Sequence, residues 1–253
     1  MENIGNFTVA KRWGSFLLLY LGYMILFADR TVMNISLAYI GKDFHVGAAA
    51  LGATASAFFL GYTLMQIPGG YLTDKFGSKL MVIISLFTWS LMTMVTGWAW
   101  SLAALIAIRF LFGIAEGPYP AAALKRISEN YDKSEKSQAT SALISSNYAG
   151  AAVAPLIIVP IIASNGWRNA FVWLGVGGFI ILLAYYLVER PINSSQENGL
   201  VRPKIEWKKI DHRVWAFVVI GLALNIITKG LETWMPVYFL QEQGINLKNL
   251  AWL

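Results

Sequence analysis

Cysteine is absent from the 253 residues, which excludes disulfides and thiolate metal sites. Histidine is nearly absent: His45 and His212 are the only two, and both fall in polar connections, so a histidine-based catalytic or metal site is not expected. Charge is scarce as well. Asp, Glu, Lys and Arg make up 13% of the chain, about half of the ~25% usual in soluble domains. Strand-like alternation is missing, which argues against a membrane barrel. No stretch has the G-x-x-x-x-G-K-[ST] order of a phosphate-binding loop, so nothing suggests ATP-driven work. No nucleophile–base pair or metal set marks an intramembrane enzyme, and no cofactor is expected. What remains is a chain that is 57% hydrophobic, the composition of a polytopic membrane protein.

Seven stretches approach the ~20 mostly apolar residues needed to cross a bilayer: 13–38, 50–72, 79–98, 101–123, 139–162, 169–188 and 214–240. Backbone groups cannot stay unpaired in lipid, so the spans are expected to be helices. Lys11-Arg12 ahead of the first run imitates a secretory signal, but the run is too long and carries charge, so it reads as a retained span. Fourteen of the 20 basic residues, including Lys11, Arg12, Lys125, Arg126, Lys208 and Lys209, fall in one alternate set of connections. The opposite set holds Lys42, Arg168 and Lys248. Cytoplasmic loops carry such an excess, so the N-terminus is expected inside, and the net charge of +6 is a topology signal rather than a nucleic-acid footprint. The expected organisation is a six-helix bundle over 1–188, a basic cytoplasmic linker over 189–213, and the first helix of an incomplete second bundle over 214–253. That pattern reads as truncated, with a second half as a missing partner.

The remaining three basic residues, Arg30, Arg109 and Lys229, lie within spans. Asp29-Arg30 sits in span 1, and Arg109 and Glu116 sit in span 4, seven residues apart on one helix face. A charge at bilayer depth costs roughly 2.5–3.5 kcal/mol or more, so such residues face a protein interior or a wet cavity. Arg109 and Glu116 either meet each other or each take a partner on span 1. Two acids and two bases are formally neutral, which admits a purely structural ion-pair lock. The functional alternative divides the duties: an arginine fork suits a carboxylate, while Asp29 or Glu116 gains and loses a proton as its surroundings change.

Together these residues resemble the major facilitator superfamily. Gly70, Asp74, Lys75, Gly77 and Lys79 match its G-x-x-x-D-[RK]-x-G-x-[RK] turn between spans 2 and 3. Gly70 there suits close helix approach and Gly77 suits the turn. Asp29-Arg30, the run Tyr62 to Gly70, and Arg109 to Glu116 followed by Gly117-Pro118-Tyr119-Pro120 are similar to its anion:cation symporter branch, which carries sugar acids and other organic anions. The resemblance covers the whole chain but only the first half of a twelve-span member plus one helix. It implies an all-α transporter in the cell membrane that moves a small organic anion with protons. Arg30 is then the substrate-carboxylate arginine, Asp29 and Glu116 the proton-coupling acids, and Arg109 the partner of Glu116. Tyr62 becomes a substrate-side tyrosine, although by residue type alone it reads equally as packing. Asn147 falls where galactonate-type members have glutamine, a departure toward a shorter amide.

Three features are less specific. Ser146, Gly150 and Ala154 recur every four residues and make a flat packing face in span 5. Gln66 lies one turn beyond Tyr62. Lys229 and Glu232 are one turn apart in span 7 and read as a self-neutralising pair or an extra anion contact, the spacing favouring the pair. The competing function is a non-transporting membrane protein, either a remnant or one half of a split transporter.

Overall fold

The computed structural model describes residues 9–189 and 213–244. Every regular element in them is helical: α1 Val9–Phe44, α2 Ala48–Phe76, α3 Ser78–Gly97, α4 Leu102–Glu116, α5 Tyr119–Asn130, α6 Lys133–Val188 and α7 Arg213–Gln241. These helices account for the seven expected spans, divided differently. Span 4 is α4 and α5 in succession, interrupted where Pro118 and Pro120 supply no N–H to the helix ladder. Spans 5 and 6 are both within α6, whose 56 residues would extend roughly 84 Å if straight. The hydrocarbon layer is ~30 Å thick, so α6 must turn back. It does so at Gly166, at φ 79° and ψ 164°, a conformation that glycine adopts without strain.

The helices run alternately between two ends. At the basic end, Arg12 of α1 pairs with Glu135 at the start of α6 at 2.9 Å, and its guanidinium lies 5.0 Å from the Tyr131 ring centre. At the other end, Asp43 of α1 accepts from Trp167 Nε1 at 2.9 Å and from Arg168 at 2.5 Å, beside the Gly166 turn. His45 follows α1 with a positive φ of 53°, reversing the chain into α2.

Between those ends α1 is the hub, packed against α6 along its length. Leu19 and Leu26 meet Trp89, Phe112, Tyr119 and Tyr185 in one buried cluster. Val32, Ile35 and Leu37 join Leu105, Ile158 and Phe171 in another. Lipid gives apolar side chains no reason to prefer one another, so close backbone approach supplies much of the packing. Ser146, Gly150 and Ala154 are all buried, and a methyl at Gly150 would overlap the Met24 carbonyl of α1. The small-residue face of span 5 is thus packing inside the bundle.

α7 lies against α1, where the Asn34 side chain donates to the Glu232 carbonyl at 3.0 Å. Its Val237 is buried, while Trp215, Phe217 and Ile220 nearer its start are exposed, as are Leu60, Leu64 and Ile67 on α2. Apolar faces of this kind suit lipid or another bundle. The expected linker at 189–213 lies outside the described residues except at its two ends, as does the final stretch from 245. At the first of those ends, Glu189 caps α6 and is fully buried.

Candidate functional site

The site begins with how closely α2 and α4 cross. A methyl at Gly61 would overlap the Phe110 carbonyl, and one at Gly113 would overlap the Phe58 carbonyl. These reciprocal glycines bring the two backbones into contact. Phe58 and Tyr62, flanking Gly61 on α2, are thereby carried to the face of α4 that bears Arg109 and Glu116. α1 contributes Asp29 and Arg30, consecutive residues about 100° apart around the helix.

Two ion pairs result. Arg109 donates through Nη1 to Asp29 Oδ1 at 2.7 Å, and both residues are buried. Arg30 donates through Nη2 to Glu116 Oε1, with the carboxylate fully buried and the arginine 16% exposed. The pairing of Arg109 with Glu116 implied by resemblance is therefore not what the structure shows. Those residues are two turns apart, roughly 10 Å along α4, and each finds an opposite charge nearer at hand on α1. Asp29 Oδ2 and Glu116 Oε2 are buried with no hydrogen-bond partner among the described residues. Each acid thus holds one oxygen in an ion pair and leaves the other unbonded among the described residues.

Aromatic rings bracket both guanidinium groups. Arg30 lies 4.5, 5.1 and 4.8 Å from the ring centres of Phe27, Phe58 and Tyr62. Arg109 lies 5.0 and 4.8 Å from those of Phe112 and Phe171. Cation–π contacts of this kind are worth on the order of 1–2 kcal/mol when desolvated, and they hold the planar groups in a fixed orientation. An open cleft reaches the two arginines, lined by Arg30, Asn34, Thr54, Phe58, Lys229 and Glu232, with Arg109 at its wall.

Not every expected residue joins this cluster. Tyr62 does, beside Arg30. Asn147 does not line the cleft. Gly150 meets α1 at Met24, so Asn147 lies roughly 13 Å from Arg30 along the two parallel axes. Its Oδ1 is nevertheless buried and without a hydrogen-bond partner among the described residues.

The turn motif is built differently from its sequence reading. Asp74 accepts from Lys125 of α5 at 3.1 Å, Lys75 lies over the Phe76 ring, and Lys79 reaches the Glu189 carbonyl. Gly77 takes φ +88° and its N–H caps α2 on the Thr73 carbonyl at 3.0 Å. The close approach expected at Gly70 is made by Gly69 instead. An added Cβ at Gly69 lies 2.7 Å from Pro118 Cα, whereas one at Gly70 meets nothing within 4 Å.

The sequence profile of the Major Facilitator Superfamily matches residues 19–253. This chain belongs to that superfamily. Among curated superfamily transporters, it is 29% identical over 246 residues to a probable sulfoacetate transporter of Cupriavidus necator, covering 90% of this chain and 57% of that protein. It is 29% identical over 273 residues to a probable galactarate/D-glucarate transporter of Escherichia coli, covering 94% of this chain and 62% of that protein. A hexuronate transporter of Bacillus subtilis is 25% identical over 249 residues, covering 93% and 58%. The chain thus spans 57–62% of the length of these relatives, which are transporters and not enzymes. Among solved structures, a bacterial homolog of the human lysosomal transporter Spinster in an inward-facing, occupied conformation matches with a TM-score of 0.83 at 23% identity, covering 97% of this chain and 57% of that one. Its unoccupied form gives 0.77 at 21%, covering 97% and 59%. These likenesses show the fold alone.

Several parts of the site carry no obvious mark in the sequence. The Gly61–Gly113 crossing is one, since neither glycine stands in a turn or repeat that singles it out. The ring cage is another. Glu189 is the third: its side chain accepts from Ser15 at 2.6 Å and Arg126 at 2.5 Å, binding α1, α5 and α6 together at the basic end. Its one signal is position, immediately after the last apolar residue of span 6.

Proposed function

We propose that this chain binds a small organic anion, a sugar acid in the first instance, and carries it across the cell membrane by proton-coupled symport. The observation that carries this reading is the Arg30–Glu116 pair, a cation held at span depth by one buried carboxylate and open to a cleft. A substrate carboxylate takes the place of Glu116 on the Arg30 fork. Glu116, now without a counter-charge in a dry environment, takes up a proton from the cleft, so an anion and a proton enter together and the site stays neutral. Asp29 provides a second such acid through its exchange with Arg109. Alternating exposure of the loaded site to the two membrane faces completes transport, and rocking of that kind needs a second bundle opposite this one. The names of the curated relatives, all transporters of organic anions, support the substrate class. The basic end gathers Arg12, Lys79 and Lys125, which supports a cytoplasmic N-terminus.

The test is anion binding by calorimetry to the purified chain in lipid nanodiscs, with galactarate and galactonate as probes. Arg30→Ala removes a charge-assisted bond and is expected to weaken binding about 100-fold. Unchanged affinity in that variant overturns the assignment. Repeating the titration in buffers of different ionisation enthalpy counts protons: binding takes up protons in the wild type and fewer in Glu116→Gln. Proton uptake that stays at the wild-type value in both Glu116→Gln and Asp29→Asn refutes the coupling roles.

A further inference from the structure

Lys229 and Glu232 of α7 are not accounted for by the two buried pairs, yet both line the same cleft as Arg30. Lys229 Nζ meets Glu232 Oε2 at 2.5 Å across one helical turn, with the side chains 34% and 54% exposed. The register between α7 and α1 is given by Asn34, whose amide donates to the Glu232 carbonyl at 3.0 Å. Both helices run from the basic end outward. Arg30 lies four residues before Asn34, about 6 Å along α1, and Lys229 lies three residues before Glu232, about 4.5 Å along α7. The two cations therefore stand at nearly the same depth and line one cleft. Each is neutralised by a single carboxylate. A self-neutralising pair turned to lipid would have no reason to share this depth or this cleft.

We infer that Lys229 is a second anion subsite latched by Glu232, so that the substrate is a dianion bridged between Arg30 and Lys229. This rests on the anion-site reading of Arg30. One acid group of the substrate takes Glu116's place on Arg30, and the other takes Glu232's place on Lys229. The released Glu116 is neutralised by a proton, whereas the half-exposed Glu232 swings aside within the open cleft. A monoanion of the same length engages Arg30 alone. Thr54, Asn34 and Thr233, which also line the cleft, offer hydroxyls and an amide to the polar middle of such a molecule.

Galactarate and galactonate differ by one carboxylate on the same six-carbon chain and serve as the probes. Calorimetry on the full chain in nanodiscs is expected to show galactarate binding about tenfold tighter than galactonate. Lys229→Met brings galactarate down toward the galactonate affinity and weakens galactonate far less. Glu232→Gln releases the latch and raises galactarate affinity, a gain that a misfolded variant cannot imitate. Equal affinity of the two probes in the wild type, or equal effects of Lys229→Met on both, overturns the dianion subsite. If Arg30→Ala abolishes both ligands in that case, the anion site itself stands and only the second subsite fails. If neither probe binds the wild type, both readings fail together.

Discussion

Replacing Asp29 by Asn tests the crossed pairing directly. The substitution keeps the size of the side chain and one acceptor oxygen but removes the charge that faces Arg109 at 2.7 Å. Arg109 is only 2% exposed, so water cannot compensate it, and Glu116 is already engaged with Arg30. Breaking one side of a buried pair costs about 3–5 kcal/mol, matching the ~4 kcal/mol of two unit charges 4 Å apart at an effective dielectric of 20. A drop in Tm on the order of 10 °C follows for a chain of this size. Thiol-reactive dyes are useless without cysteine, but 10 tryptophans make intrinsic fluorescence a suitable probe of unfolding in detergent. The decisive form is a double-mutant cycle. Arg109→Gln combined with Asp29→Asn is expected to show a coupling of about 2 kcal/mol or more, and Arg109→Gln with Glu116→Gln less than half of that. A coupling near 1 kcal/mol or below between Arg109 and Asp29 is the size of an ordinary interhelical hydrogen bond in a bilayer and would refute the ion pair. A larger coupling of Arg109 to Glu116 would restore the pairing implied by resemblance.

Two further outcomes follow from packing. Gly61→Ala forces a methyl onto the Phe110 carbonyl and is expected to destabilise the chain by about 1–3 kcal/mol, with anion affinity falling as the rings leave Arg30; Gly70→Ala meets open space and is expected within about 0.5 kcal/mol of wild type. Thermal unfolding of the two variants side by side decides between them, and equal losses would contradict the crossing. Glu189→Ala strips the buried partner from Arg126 and Ser15 and is expected to cost about 3 kcal/mol, read by the same fluorescence; a change under about 0.5 kcal/mol would show that Glu189 does not tie the basic end together.

The clustering of Asp29, Arg30, Arg109 and Glu116 is legible in the chain before any coordinates, because four charges within spans 1 and 4 have nowhere to go except toward one another. Tyr62 is half-legible: its motif points to the site, and its ring proves to lie beside Arg30. Asn147 has a matching position in span 5 but does not line the cleft that holds Arg30, a placement its own helix does not reveal. Glu189 reads as the first residue of a polar linker, since nothing local distinguishes a solvated glutamate from one buried against Arg126.

Span number, helical character and the presence of a charged site were determined by the sequence alone. Crossing a bilayer is a one-dimensional requirement of about 20 apolar residues, and the cost of a buried charge is paid at whatever position carries it. Which acid meets which arginine, and the opening of Lys229 and Arg30 on one cleft, were decided only by the tertiary structure. Those outcomes depend on how far each helix is rotated and how deep it sits relative to its neighbours. Close crossings such as Gly61 on Gly113 and Gly150 on Met24 set that rotation and depth, and no periodicity within a single helix can state where another helix will touch it.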